Sequence, residues 1–69
     1  MTDQLANRIK DRRTDLGLTQ AELAEQVGVT RKTVNTVENG VFVPSTILAL
    51  KLARALNVSV EELFSISGD

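Results

Sequence analysis

The stretch from Thr19 to Gly40, TQAELAEQVGVTRKTVNTVENG, constrains this chain more than any other, because it carries start and stop signals for two short helices in direct succession. Thr19 is an N-cap candidate with Glu22 three residues on, the spacing of a capping box. Leu23, Ala24 and Val27 then recur at helical spacing. Gly28 follows, suited to the left-handed position that ends a helix. Thr30 can cap a second helix whose Val34 and Val37 face inward, and Gly40 can close it after Glu38 and Asn39. A link of about three residues makes the two helices meet near a right angle. The small Ala24 suits the point where their axes approach, and Val29, Val34 and Val37 can wedge the second helix against the first.

The outward face of the second predicted helix is of another kind. Thr30, Arg31, Lys32, Thr33, Asn35 and Thr36 are all hydrogen-bonding or cationic, and no acid stands between Glu25 and Glu38. Any helical hairpin can show Ala, Gly and Val at these offsets. A basic, hydrogen-bonding face on the second helix is what suits the DNA major groove.

The segments IKDRRTDLGLTQAELAEQVGVTRKTVNTVENG and VPSTILALKLARALNVSVEELF together resemble the lambda-repressor-like, Xre/Cro-type transcriptional regulators of prokaryotes and phages, from about Ile9 to Phe64. The resemblance implies an all-α fold: a compact five-helix DNA-binding domain whose helix-turn-helix is formed by helices 2 and 3, with helix 3 reading DNA. It implies that Gln20 hydrogen-bonds a backbone phosphate, and that Arg31, Lys32 and Thr36 reach base edges. Arg or Lys can donate to guanine O6 and N7, and Thr can bond a base or touch a thymine methyl. Thr30, Thr33, Asn35 and Asn39 suit phosphate contacts that fix orientation. In related phage repressors the residues matching Arg13 and Glu38 form a largely buried salt bridge between the first and third helices, which assigns both a structural role here. Leu23, Ala24, Val27, Gly28, Val34 and Val37 are the packing positions of the helix pair.

The chain also departs from that pattern. After Asn39 and Gly40 many members have a lysine and polar residues, whereas Val41, Phe42 and Val43 follow here. A phosphate-contacting lysine is therefore missing. With Ile47, where a polar residue is common, these side chains can form an apolar patch for a partner or a second copy, or Phe42 can plug the core. The family's habit of dimerising through its last helix makes Val60, Leu63, Phe64 and Ile66 further candidates, their alternative role being to close the core.

The remaining chain reads as more helix. An amphipathic stripe of Leu5, Ile9 and Leu16 predicts a first helix over 3–16 closed by Gly17. Ser45 can cap a helix running through Leu56, with Leu48, Ala49, Leu52, Ala53 and Leu56 on its buried face and Asn57 in the left-handed closing position. Ser59 caps a last short helix with Glu61 and Glu62 in its first turn, favourable to the helix dipole. Leu63 and Phe64 pack back, and residues 65–69 read as a frayed tail. The chain is expected to form one domain over 1–69, with its core at about 5–64.

At 69 residues there is room for one small core, which must be built from Leu, Ile, Val and Ala because the chain has two aromatic residues in all. With neither Cys nor His, disulfides, thiolate metal sites and histidine acid–base chemistry have no ligands to use. No Gly-rich phosphate loop is present, so an enzyme is not expected, nor a metal, cofactor or small-molecule ligand. The longest apolar run is Ile47–Leu50, far short of a membrane span, and the start lacks a signal-peptide apolar region, which makes the cytoplasm the expected location.

A net charge of −1 is unhelpful to DNA binding, which gains affinity from phosphate neutralisation. The distribution is more favourable. Arg31 and Lys32 stand in an acid-free stretch, and Arg8, Lys10, Arg12 and Arg13 crowd the first helix. The expected partners are double-stranded DNA and a second copy of the chain, as a sequence-specific regulator on a palindromic operator, with repression or activation both open. The alternative is a DNA-binding antitoxin, or a control module of a restriction–modification system, gripping a protein partner as well.

Overall fold

Four of the five helices begin on a hydroxyl side chain that closes onto its own backbone, and these local switches lay out the chain. In a computed structural model, which describes residues 3–67, the order is β1 (Gln4–Asn7), α1 (Ile9–Asp15), α2 (Gln20–Val27), α3 (Arg31–Glu38), α4 (Thr46–Ala55), α5 (Val60–Leu63) and β2 (Phe64–Ser67). Thr19, Thr30, Ser45 and Ser59 cap α2 to α5, each accepting the backbone N–H three residues on. At α2 the box is reciprocal: the Glu22 N–H reaches Thr19 Oγ1 at 3.0 Å, and the Thr19 N–H reaches Glu22 Oε1 at 2.8 Å. Ser59 and Glu62 repeat it at α5. Because each carboxylate accepts a backbone N–H, from Thr19 and Ser59 respectively, both are held below the usual glutamate range.

The helix ends are equally local. At α2, the Gly28 N–H donates to Glu25 O at 3.3 Å and the Val29 N–H to Ala24 O at 3.0 Å, the paired bonds of a Schellman turn. This turn needs a left-handed residue, and Gly28 supplies it at φ +76°. The same bonding pattern ends α1, α3 and α4, the last with Asn57 at φ 60°.

Apolar positions from every helix then meet in one core. Leu23, Ala24 and Val27 of α2 face Val34 and Val37 of α3, and Leu52, Ala53 and Leu56 come in from the α4 side. Ile9, Leu63 and Phe64 complete it, with Leu48 and Ala49 half-buried at its edge. Burying a side chain such as Leu23, which is fully enclosed, stabilises by about 1.5–3 kcal/mol relative to leaving it in water. Ala24 is buried in this core, and Val29, whose N–H bonds Ala24 O, packs against it.

Two expectations about the ends of the chain are corrected. Helix α1 starts at Ile9, not near residue 3, and residues 65–67 belong to a strand instead of a tail. The two strands pair antiparallel, with Gln4 opposite Ser67, Leu5 opposite Ile66, Ala6 opposite Ser65 and Asn7 opposite Phe64. Residues 68 and 69, the rest of the expected tail, lie outside the described residues. The cause of the first correction is tertiary: the backbone of 4–7 bonds to strand β2 instead of its own next turn, and the Arg8 N–H donates to Leu63 O at 2.9 Å. Of the predicted stripe only Ile9 is enclosed, while Leu5 and Leu16 remain 36% and 45% exposed. The five-helix domain stands, with this small sheet added where its two ends meet.

Candidate nucleic-acid interface

Helix α3 splits into two faces with a period its sequence dictates. Val34 and Val37 are enclosed, whereas Thr30, Arg31, Lys32, Asn35 and Asn39 are exposed and Thr33 and Thr36 half-buried. The Thr30 and Thr33 hydroxyls meet at 3.0 Å around the N-cap, which fixes the first turn. Thr36 Oγ1 donates to Thr33 O at 3.0 Å, so its hydroxyl hydrogen is committed to the helix backbone. Asn39 Nδ2 donates to Asn35 Oδ1 at 3.3 Å one turn away.

Glu38, the acid at the end of this helix, is withdrawn from the face. Its Oε2 accepts from Arg13 Nε at 2.7 Å, and its Oε1 accepts from Arg13 Nη2 at 3.3 Å and Gln20 Nε2 at 3.1 Å. The side chains of Arg13 and Glu38 are 11% and 4% exposed. Arg13 Nη1 also donates to Leu18 O at 2.9 Å, so one guanidinium ties α1, the α1–α2 turn and α3 together. Charge neutralisation follows directly: the nearest carboxylate in sequence to Arg31 and Lys32 on the same helix carries its own counter-ion.

Gln20 is held by that pair at the start of α2. While its Nε2 bonds Glu38, its Oε1 lies 3.5 Å from Asn35 Nδ2, a long contact that continues the chain of polar groups toward the α3 surface. One amide hydrogen of Gln20 is left for an outside acceptor. The basic residues of α1 divide similarly. Arg12 Nη2 donates to Leu56 O at 3.1 Å, at the carbonyl end of α4, while Arg12 Nε is buried with no partner. Arg8 and Lys10 stay exposed.

Asn7 escapes a reading of the sequence. Its Oδ1 accepts the Ile9 N–H at 3.1 Å, and its Nδ2 donates to Val37 O at 3.0 Å and Glu38 O at 3.4 Å. One side chain thus starts α1 and satisfies the last carbonyls of α3. An Asn two residues ahead of a helix start is a turn signal, but it is legible only once the helix is known to begin at Ile9.

The candidate partner contacts are scattered by the fold. Leu63 and Phe64 are core residues and offer no free surface, and Val60 is half-buried. Val41, Phe42, Val43, Ile47 and Ile66 are exposed, so Phe42 does not plug the core. Val43 and Phe42 line a groove with Leu5 on one side of the α3–α4 loop, and Val41 and Phe42 line another with Lys32, Thr33 and Thr36. Among the described residues no cluster of acidic, His or Cys side chains could hold a metal ion, and no helix is long and apolar enough to cross a membrane.

Comparisons with known proteins point the same way as this geometry. A family model described as helix-turn-helix matches residues 9–63. A helix-turn-helix-type transcriptional regulator of Methanothermobacter thermautotrophicus is 50% identical over 62 residues, spanning 88% of this chain and 90% of that protein. Among solved structures, the restriction–modification controller protein C.AhdI from Aeromonas hydrophila superposes with a TM-score of 0.74 at 39% identity, covering 78% of this chain and 82% of that one. SinR, the master regulator for biofilm formation, solved in complex with DNA, superposes with a TM-score of 0.71 at 35% identity, covering 77% and 86% of the respective chains.

Proposed function

This chain belongs to the helix-turn-helix family of lambda-repressor-like, DNA-binding transcriptional regulators, and on that premise we propose that it is a repressor that binds a palindromic operator as a homodimer. The observation that carries the reading is the exposed face of α3, cationic at Arg31 and Lys32, with its terminal acid neutralised by Arg13. Helix α3 lies in the major groove with its N-terminal residues against base edges. Arg31 and Lys32 donate to purine acceptors, each good bidentate pair contributing about 1–3 kcal/mol of discrimination. Thr36 touches the bases further along. Gln20, Thr30, Thr33, Asn35 and Asn39 hold phosphates and set the register.

A second copy follows from the charge. With a net charge of −1 and Arg12 and Arg13 engaged internally, one protomer neutralises few phosphates, so its own affinity is modest and strongest at low salt. Two protomers on half-sites about one turn, ~34 Å, apart multiply that affinity. Val43, Ile47 and Ile66 are apolar and exposed, and a dimer contact at any of them would cover hydrocarbon. Occupying an operator across a promoter then excludes polymerase. The likeness to C.AhdI supports a second reading, control of a restriction–modification system, which uses the same DNA face.

The test is selection of binding sites from random duplex DNA with the purified protein. An inverted repeat should be enriched, and the Arg31→Ala, Lys32→Ala double variant should lose it while keeping its fold. Enrichment of no motif by the wild type would overturn the assignment.

A further inference from the structure

The apolar loop after α3, Val41 to Pro44, carries no cation to meet a phosphate, and its placement argues for a different contact with DNA. The Val41 N–H and the Phe42 N–H both donate to Thr36 O, at 2.9 and 3.2 Å, so the start of the loop is tied back onto the last turn of α3. Val41 and Phe42 thereby line one shallow groove with Lys32, Thr33 and Thr36, continuous with the proposed recognition face. Both are open to solvent, at 77% and 49% exposure. Within the groove the sole charge is the Lys32 ammonium, and no acid lines it, which favours a polyanion over an acidic or neutral protein surface.

The chemistry of the groove narrows the ligand further. Thr36 has committed its hydroxyl hydrogen to Thr33 O, so it brings a methyl and an oxygen lone pair but no donor. Val41 and Phe42 bring hydrocarbon alone. Thr36, Val41 and Phe42 therefore offer no donor to the acceptors of guanine or adenine, which are left to Lys32. The one apolar feature a base pair presents in the major groove is the 5-methyl group of thymine.

We propose that Val41 and Phe42, with Thr36, form a thymine-methyl pocket at the edge of the recognition face, so that the loop contributes sequence preference in place of phosphate affinity. This inference rests on the reading of α3 as the recognition helix. The selected operator should therefore carry a thymine at a fixed position in each half-site. Removing only its methyl, by a dT-to-dU exchange, should weaken wild-type binding about fourfold, the effect of one buried methyl-sized group.

The experiment measures fluorescence-anisotropy Kd values on the selected operator with single dT-to-dU exchanges at every thymine, for the wild type, Phe42→Ala and Val41→Ser. The exchange alters no protein atom, so a folding defect in either variant cannot produce the wild-type result. One position per half-site should show the fourfold loss in the wild type, and the dT/dU ratio there should fall toward one in both variants with the salt slope unchanged. Wild-type binding indifferent to dU at every position overturns the pocket while leaving the operator reading intact. Failure to select any motif overturns both. A Phe42→Ala variant that sediments as a monomer yet keeps the full dT/dU ratio assigns Phe42 to a protein contact and also overturns the pocket.

Discussion

Replacing Glu38 by Gln tests the linkage that holds α3 in place. The substitution keeps the side-chain shape but turns one acceptor oxygen into a donor NH2. Set at the Oε1 site, that NH2 faces Gln20 Nε2 and Arg13 Nη2; set at the Oε2 site, it faces Arg13 Nε. Either choice puts donor against donor and leaves Arg13, 11% exposed, without its counter-ion. Breaking a buried pair in this way costs about 3–5 kcal/mol. The lower end applies, because Arg13 keeps its bond to Leu18 O and touches water. At roughly 0.05–0.15 kcal/mol per residue a domain of this size has ~3–10 kcal/mol in all, so ~3 kcal/mol is about 30% of it or more. For a domain this small each kcal/mol moves Tm by roughly 4–8 °C, so the melt followed by circular dichroism at pH 7 should drop by about 12–24 °C. The double variant Arg13→Met, Glu38→Leu removes both charges together and should recover much of that loss, since apolar replacements of buried pairs are often neutral. A fall below the ~4–8 °C that 1 kcal/mol produces, or a double variant as unstable as the single, would refute the argument.

Two further outcomes are accessible to stability measurements. At Gly28, where a Cβ would meet nothing within 4 Å, Gly28→Ala should cost about 1 kcal/mol from its left-handed backbone alone, and Gly28→Asn should cost visibly less; equal losses for the two would show that some contact, not φ, is responsible. Glu22 is held below its ordinary value of 4.5 by the Thr19 N–H, so its charged form stabilises the fold fully above that value and the contribution is lost as pH falls through the depressed folded value. Glu22→Gln keeps a capping side chain without the charge, so the stability gap between wild type and variant in urea titrations should be open at pH 7 and close in acid. A gap independent of pH would separate the cap from the charge.

Most of what places α3 is local, and that is why it was legible. Thr19 with Glu22, Gly28 with Val29, Thr30 with Thr33 and Gly40 with Val37 all act within five residues, so the chain carries their geometry wherever it goes. The inward period of Val34 and Val37 and the outward polarity of Arg31 and Lys32 follow from the same helix. Pairing of Arg13 with Glu38, 25 residues apart, came from resemblance to related proteins and not from spacing.

The ends of the chain show the limit. Leu5 and Ile9, four apart, fit a helix as well as they fit a strand followed by a helix, and no local signal favours either. The choice belongs to Phe64–Ser67, some sixty positions away, whose backbone supplies hydrogen bonds that residues 4–7 would otherwise make with themselves. The same encounter turns the expected tail into a strand and gives Asn7 its hold on the end of α3. Gln20 turning inward to Glu38, and Phe42 standing half in water beside Thr36, were likewise settled by which surfaces meet. Sequence determined helices α2 to α5, their caps and the face α3 offers, because those depend on neighbours within a turn or two. Only the tertiary structure decided the sheet, the anchoring of α3 and the site of the apolar loop, because hydrogen bonds and burial between distant segments exist only after the chain has closed.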